Sequence, residues 1–139
     1  MTRIRKKLFP FTLPTQHVIS VAVVTTQPDY GLCWQLNKRL HIGLSRMTPD
    51  AEIRLKNGNS VSFTRFEYQD EGLSYQLVSN RTASGPVFSR LDQVDFVFHV
   101  GFPDAEKAAR QAEDIVDAIR DIPGVSLAFL LTQELKRRT

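Results

Sequence analysis

The spacing of apolar positions changes several times along the chain, and each change predicts an element. From His17 to Thr26 the residues are apolar and β-branched on both parities, as in a strand covered on both faces. Gln27-Pro28 ends it. Pro28 suits the first turn of a helix, and Leu32, Cys33, Leu36 and Leu40 then recur at helical spacing. Gln35, Asn37, Lys38 and Arg39 fill the other side, so a helix is predicted over 28–41.

Thr48-Pro49-Asp50 marks a loop, after which Ala51, Ile53 and Leu55 alternate with Glu52, Arg54 and Lys56, the pattern of a half-buried strand. Asn57-Gly58 supplies a hairpin turn. The returning strand has Val61 and Phe63 on one parity but Phe66 and Tyr68 on the other, which predicts a β-bulge at Thr64-Arg65 to keep both pairs on one face. Asp70-Glu71-Gly72 turns the chain into a strand carrying Leu73, Tyr75 and Leu77, and Ser79 to Pro86 reads as a flexible surface loop.

The clearest strand is Val94, Phe96, Phe98, Val100 and Phe102, which alternate without interruption. Asp104 then caps a helix whose stripe is Ala105, Ala108, Ala109, Ala112, Ile115, Val116 and Ile119, ended by Ile122-Pro123-Gly124. This stripe and the strand parity should bury each other. Val125, Leu127, Phe129 and Leu131 read as a last strand, although Leu127, Leu130, Leu131 and Leu135 also fit a helix. The expected order is β-α-β-β-β-β-α-β: an α+β domain over 15–133 with a mostly antiparallel sheet and two helices on one face. A basic arm (1–14) precedes it and a basic tail (134–139) follows.

Composition narrows the partners. With 139 residues, 42% of them hydrophobic and 24% charged, the chain resembles an ordinary globular domain, and disorder is excluded. The net charge of +3 is far from that of a dedicated nucleic-acid binder. Arg3, Arg5, Lys6, Lys7, Lys136, Arg137 and Arg138 hold 7 of the 18 basic residues, leaving 8–135 with 11 against 15 acidic groups, a formal −4. The sequence pI of 9.2 thus belongs to the ends, which read first as solvated termini and can add weak, non-specific attraction to nucleic acid at low salt. Pro10, Thr12 and Pro14 interrupt Phe9, Phe11 and Leu13, so no secretory signal is expected. The longest nearly apolar run, Val18 to Val24, is too short to span a bilayer, which predicts a cytoplasmic protein without a membrane partner.

Three stretches give a resemblance. Asp29-Tyr-Gly-Leu-Cys-Trp-Gln-Leu-Asn37, Val94-Asp95-Phe96 and Ile122-Pro-Gly-Val125 resemble segments of the IPExxxVDY family of uncharacterised bacterial proteins, of the Bacteroidetes type. In this family a helix opens Asp-Tyr-x-Leu and continues through Trp and Leu-Asn, and the signature ends Val-Asp-Tyr. The resemblance spans 17–131 and implies the family's fold; it brings no activity, cofactor or substrate. The signature's Ile-Pro-Glu falls on Phe88, Ser89 and Arg90, so no Glu-dependent role carries over.

The chemistry is sparse. Cys33 is the sole thiol, set in the apolar stripe with Asp29 one turn earlier, and reads as a structural core residue. His17, His41 and His99 show no ligand spacing, so no metal or cofactor is expected. Asp95 and His99 share a strand face but stand about 13 Å apart, beyond acid–base coupling. Asp95 reads as a structural hydrogen-bonding group. Trp34 either plugs the end of the core or faces a partner, with Tyr30 one turn before it. Phosphate loops, nucleophile elbows and zinc-protease motifs are missing.

The resulting expectation is a non-enzymatic protein-interaction or self-associating module, a homodimer in its simplest form, with Asp29, Tyr30, Trp34 and Asn37 as interface candidates. The alternative is an accessory nucleic-acid binder using the basic ends. An enzyme would require Asp95, a histidine and Cys33 to meet in one pocket.

Overall fold

A computed structural model describes residues 17–54, 58–82, 85–86 and 92–131. In chain order the elements are β1 (His17–Thr25), α1 (Asp29–Leu40), β2 (Ser45–Arg46), β3 (Ala51–Arg54), β4 (Ser60–Phe63), β5 (Arg65–Asp70), β6 (Leu73–Ser79), β7 (Arg81–Thr82), β8 (Gly85–Pro86), β9 (Phe96–Phe102), α2 (Ala105–Arg120) and β10 (Val125–Leu130). The class is α+β, as its periodicities suggest, but the described residues hold ten strands where six were expected. Two-residue strands β2, β7 and β8 carry no hydropathy period, and β7 pairs with β8 inside the stretch read as a flexible loop. The basic arm, the basic tail, Leu55 to Asn57 and the Phe88–Arg90 position lie outside the described residues.

Six strands form the main sheet in the order β10-β1-β9-β6-β5-β2, antiparallel at every junction. β1 lies between β10 and β9 and is apolar on both parities because its two faces serve two cores, Val21 and Val23 on one side and Ala22 and Val24 on the other. Glu71 and Gly72, both at positive φ (47° and 82°), form the two-residue turn joining β5 to β6, where Asp70 opposes Leu73. The chain enters β10 through Gly124 (φ 89°), and Thr26 N–H and Thr25 Oγ1 donate to its carbonyl at 3.1 and 2.9 Å.

The bulge expected at Thr64-Arg65 is instead a change of sheet. β4 pairs with β3 in a separate hairpin, while β5 begins at Arg65 and pairs with β6 in the main sheet. Phe63 packs with Ala22, Ile53, Val78, Val94 and Val97, whereas Phe66 belongs to the helix-side core with Val21, Leu36, Leu77 and Phe98. The two parities are therefore two destinations: the β3–β4 hairpin covers part of one face of the sheet, and Phe66 faces the helices on the other.

Both helices share the helix-side core. From α2 it receives Ala108, Ile115, Val116 and Ile119, and from β9 it receives Phe96, Phe98, Val100 and Phe102. Ala105 and Ala109, placed in the stripe by their spacing, are exposed. Val94, expected on the Phe96 parity, turns to the hairpin side, because the chain before β9 is not yet strand and Asp95 N–H donates to Val23 O at 2.9 Å. Residues 125–130 form a strand, but a register shift at Val24/Thr25 puts Ala128 and Leu130 against the helices and leaves Leu127 51% exposed. Asp104 caps α2 as expected, its Oδ1 accepting from Lys107 N–H at 2.7 Å. No helix among the described residues is long and apolar enough to cross a membrane.

Candidate functional site

α1 is built with two unlike faces. Leu32, Cys33 and Leu36 are buried in the helix-side core, and the opposite side carries Tyr30, Trp34 and Lys38 at four-residue spacing. Tyr30 is 73% exposed and Trp34 58% exposed, the two most exposed large apolar side chains among the described residues. Lys38 Nζ lies 5.0 Å from the centre of the Trp34 ring, a cation–π contact within the helix. The core-plug reading of Trp34 is thereby corrected. The inner stripe at 32, 33 and 36 directs residue 34 away from the sheet, whose helix-side core closes without it.

The other candidates do not join this pair on the outer face. Asn37 turns back toward the protein: its Nδ2 donates to Leu44 O at 3.0 Å and its Oδ1 accepts from Leu44 N–H at 2.7 Å, so it fastens the chain after α1. His41 ends the helix in the left-handed region (φ 56°). Asp29 is half-buried in the first turn, where its Oδ1 accepts from Tyr30 N–H at 2.6 Å.

Cys33 lies 8% exposed, with its thiol directed to Leu44 O at 3.6 Å. Burial, and secondarily the Asp29 carboxylate, push the thiol above the usual cysteine range. Tyr75 is raised in the same way, by burial first and then by Asp70 and Tyr68. Raised folded-state values mean that stability from these two groups is complete below the unfolded-state range and is lost as pH rises through the folded values. We expect native Cys33 to react with a disulfide reagent at least about tenfold more slowly than in urea, and the urea midpoint to fall on the alkaline side. Fast labelling of the native thiol at neutral pH would contradict its burial.

Asp95 acts at a junction of strands. Its Oδ2 accepts from Thr25 N–H at 2.8 Å, its Oδ1 engages Arg81 Nε, and its own carbonyl accepts from Asn80 N–H at 2.8 Å. A shallow cleft of about 420 Å³ opens beside it, lined in part by Asp29, Asp50, Arg81 and Phe96. The charges there are already engaged: Arg46 pairs with Asp50 at 3.0 Å, Asp95 holds Arg81, and Asp29 accepts from Tyr30.

Sequence reasoning missed a buried polar row on the hairpin side of the main sheet. Strand register sets Ser20 opposite His99, His99 opposite Gln76, and Gln76 opposite Glu67. Ser20 Oγ and His99 Nδ1 are 2.7 Å apart, Gln76 Nε2 donates to Glu67 Oε2 at 2.9 Å, and Arg65 Nη1 donates to the same oxygen at 3.1 Å. A serine bonded to an imidazole is nucleophile–base geometry. However, Ser20 and His99 are each only 1% exposed, so the hydroxyl offers no approach to a substrate, and Gln76 stands between the imidazole and the carboxylate. The row reads as structure, buried polar groups bonded in pairs across strands, with Gln76 Oε1 and Arg65 Nε left outside those bonds. Its members are up to 79 residues apart, and only the register shows that they align.

Asp95, Cys33 and the histidines do not converge. His17 opens β1, His41 ends α1 and His99 lies within β9. Among the described residues no three His, Cys, Asp or Glu side chains gather closely enough to hold a metal ion. No family model matches the chain, and neither does any curated protein.

Proposed function

We propose that this protein is a non-enzymatic protein-interaction module that docks through the outer face of α1. One observation carries the reading: Tyr30 and Trp34 stand exposed one turn apart on a helix whose inner face is fully spent on the core. Full burial of a large apolar side chain is worth about 1.5–3 kcal/mol, and rigid aromatics with a polar edge are the side chains that concentrate binding energy at interfaces. The cleft beside Asp95 and the Ser20–His99 pair compete poorly, the first because its charges are engaged and the second because it is closed to substrate.

The test does not require knowing the partner. A photo-crosslinking residue placed at Tyr30 in the full chain and activated in cells should yield a protein adduct, whereas the same residue at Glu113, on the exposed side of α2, should yield none. Trp34→Ala should reduce the Tyr30 adduct at least about fivefold, as expected of a hot-spot side chain. An equal yield from both sites, or no adduct from Tyr30, would end this reading.

A further inference from the structure

We infer that Arg120 guards the open edge of the main sheet: its guanidinium closes β10 to a further strand and so keeps the sheet from extending into a second copy of the chain.

The composition of this edge makes it a hazard. Among the described residues the sheet ends in β2 and β10. β2 has two residues, too few to template a strand, whereas β10 runs for six, Val-Ser-Leu-Ala-Phe-Leu, without a charge, a proline or a glycine. A short uncharged run of this kind on a sheet edge is what edge-to-edge pairing requires.

Register shows which backbone groups face outward. Leu131, just past β10, donates its N–H to Ser20 O at 2.8 Å, so Leu131, Phe129 and Leu127 turn their backbone groups toward β1. Ser126, Ala128 and Leu130, between them, turn theirs away from the sheet, where a further strand would pair. The carbonyl at the middle of that row is taken, because Arg120 Nε donates to Ala128 O at 3.0 Å. Ala128 is 0% exposed even though its strand ends the sheet.

Arg120 stands in the last turn of α2, where a basic side chain ordinarily serves the carbonyls of its own helix. It reaches across to the strand instead. Asp117, one turn back, steadies it, with Oδ1 3.6 Å from Nη1. An incoming strand has to run about 4.8 Å from β10, through the space beside Ala128 that the guanidinium enters. It would have to break the bond to Ala128 O and displace or desolvate a charge, which is how charged side chains blunt sheet edges. The guard acts on β10 and does not depend on the docking role of α1.

The test compares the wild-type full chain with Arg120→Ala from about 10 to 500 µM, by sedimentation velocity and by amide exchange in nuclear magnetic resonance. Arg120→Ala should keep its far-ultraviolet spectrum and gain mass above the 15.8 kDa of one chain as concentration rises. The Ser126 and Leu130 amides should become at least about tenfold more protected in step, because they then bond to a second strand. In the wild-type chain their exchange should not depend on concentration, whatever α1 binds. Arg120→Met, which keeps an unbranched stem but no guanidinium, should behave like Arg120→Ala and separates loss of the guard from loss of packing. Adding Leu127→Lys to Arg120→Ala, at a side chain already 51% exposed, should restore the mass of a single chain by returning a charge to the edge.

Folded Arg120→Ala and Arg120→Met proteins that stay at 15.8 kDa throughout would overturn the guard. Association without new protection at Ser126 and Leu130, or association that Leu127→Lys leaves intact, would do the same by placing the contact away from β10. Concentration-dependent protection of those amides in the wild-type chain would show that the edge pairs in spite of Arg120.

Discussion

Ile115→Asp should leave the protein unfolded at 25 °C, with no cooperative urea transition and a far-ultraviolet spectrum without its helical bands. Ile115 is 7% exposed on the inner side of α2 and belongs to the core that includes Val21, Phe98 and Ala128. A carboxylate there would lose its hydration, costing several kcal/mol, in addition to the apolar contacts removed. A total stability of about 5–15 kcal/mol does not absorb that. Ile115→Val provides the graded control, lowering stability by about 0.5–1.5 kcal/mol while the transition remains cooperative. A folded Ile115→Asp protein would mean that α2 does not close the main core.

This core could be read from the sequence because its signals are local. Four-residue spacing in α1 and α2 and the alternation of Phe96, Phe98, Val100 and Phe102 report which side is buried whatever the partner, and both helices meet that strand in one cluster. Position 64 could not be read so directly. A parity change between Phe63 and Phe66 is equally consistent with a bulge in one strand and with a step between two sheets, and the outcome depends on pairing with β3 and β6, far from the break. The buried polar row was hidden for the same reason. Ser20, His99, Gln76 and Glu67 look like isolated interruptions in four separate strands until register aligns them.

The docking face falls between these cases. That Tyr30 and Trp34 share a side of α1 follows from their spacing, but whether that side overhangs the sheet or projects into solvent depends on where the helix crosses it. With Leu32, Cys33 and Leu36 taking the inner side, Trp34 projects outward. Asn37 shows the converse. A polar residue on the helical wheel looks available for a partner, yet the left-handed turn at His41 brings the Leu44 backbone within reach, and its amide is used there.

Because Phe63 serves a different core from Phe66, Phe63→Asp should act locally where Ile115→Asp acts globally. Phe63 is 3% exposed, and it holds the β3–β4 hairpin against Ala22, Val78 and Val97 together with Ile53. Removing a buried phenylalanine costs about 3–5 kcal/mol, and an unpaired carboxylate adds to that. The hairpin has only its own two-stranded pairing to fall back on, and an isolated two-stranded ribbon is marginal in water. The larger helix-side core makes no use of Phe63. In hydrogen exchange, the amides of Ile53 and Val61 should therefore lose protection, while those of Phe98 and Val100 in the sheet retain theirs, since regions of a fold open separately when few contacts join them. Equal loss of protection in the hairpin and in β9 would show instead that the two cores open as one cooperative unit and that the hairpin is integral to the sheet it covers.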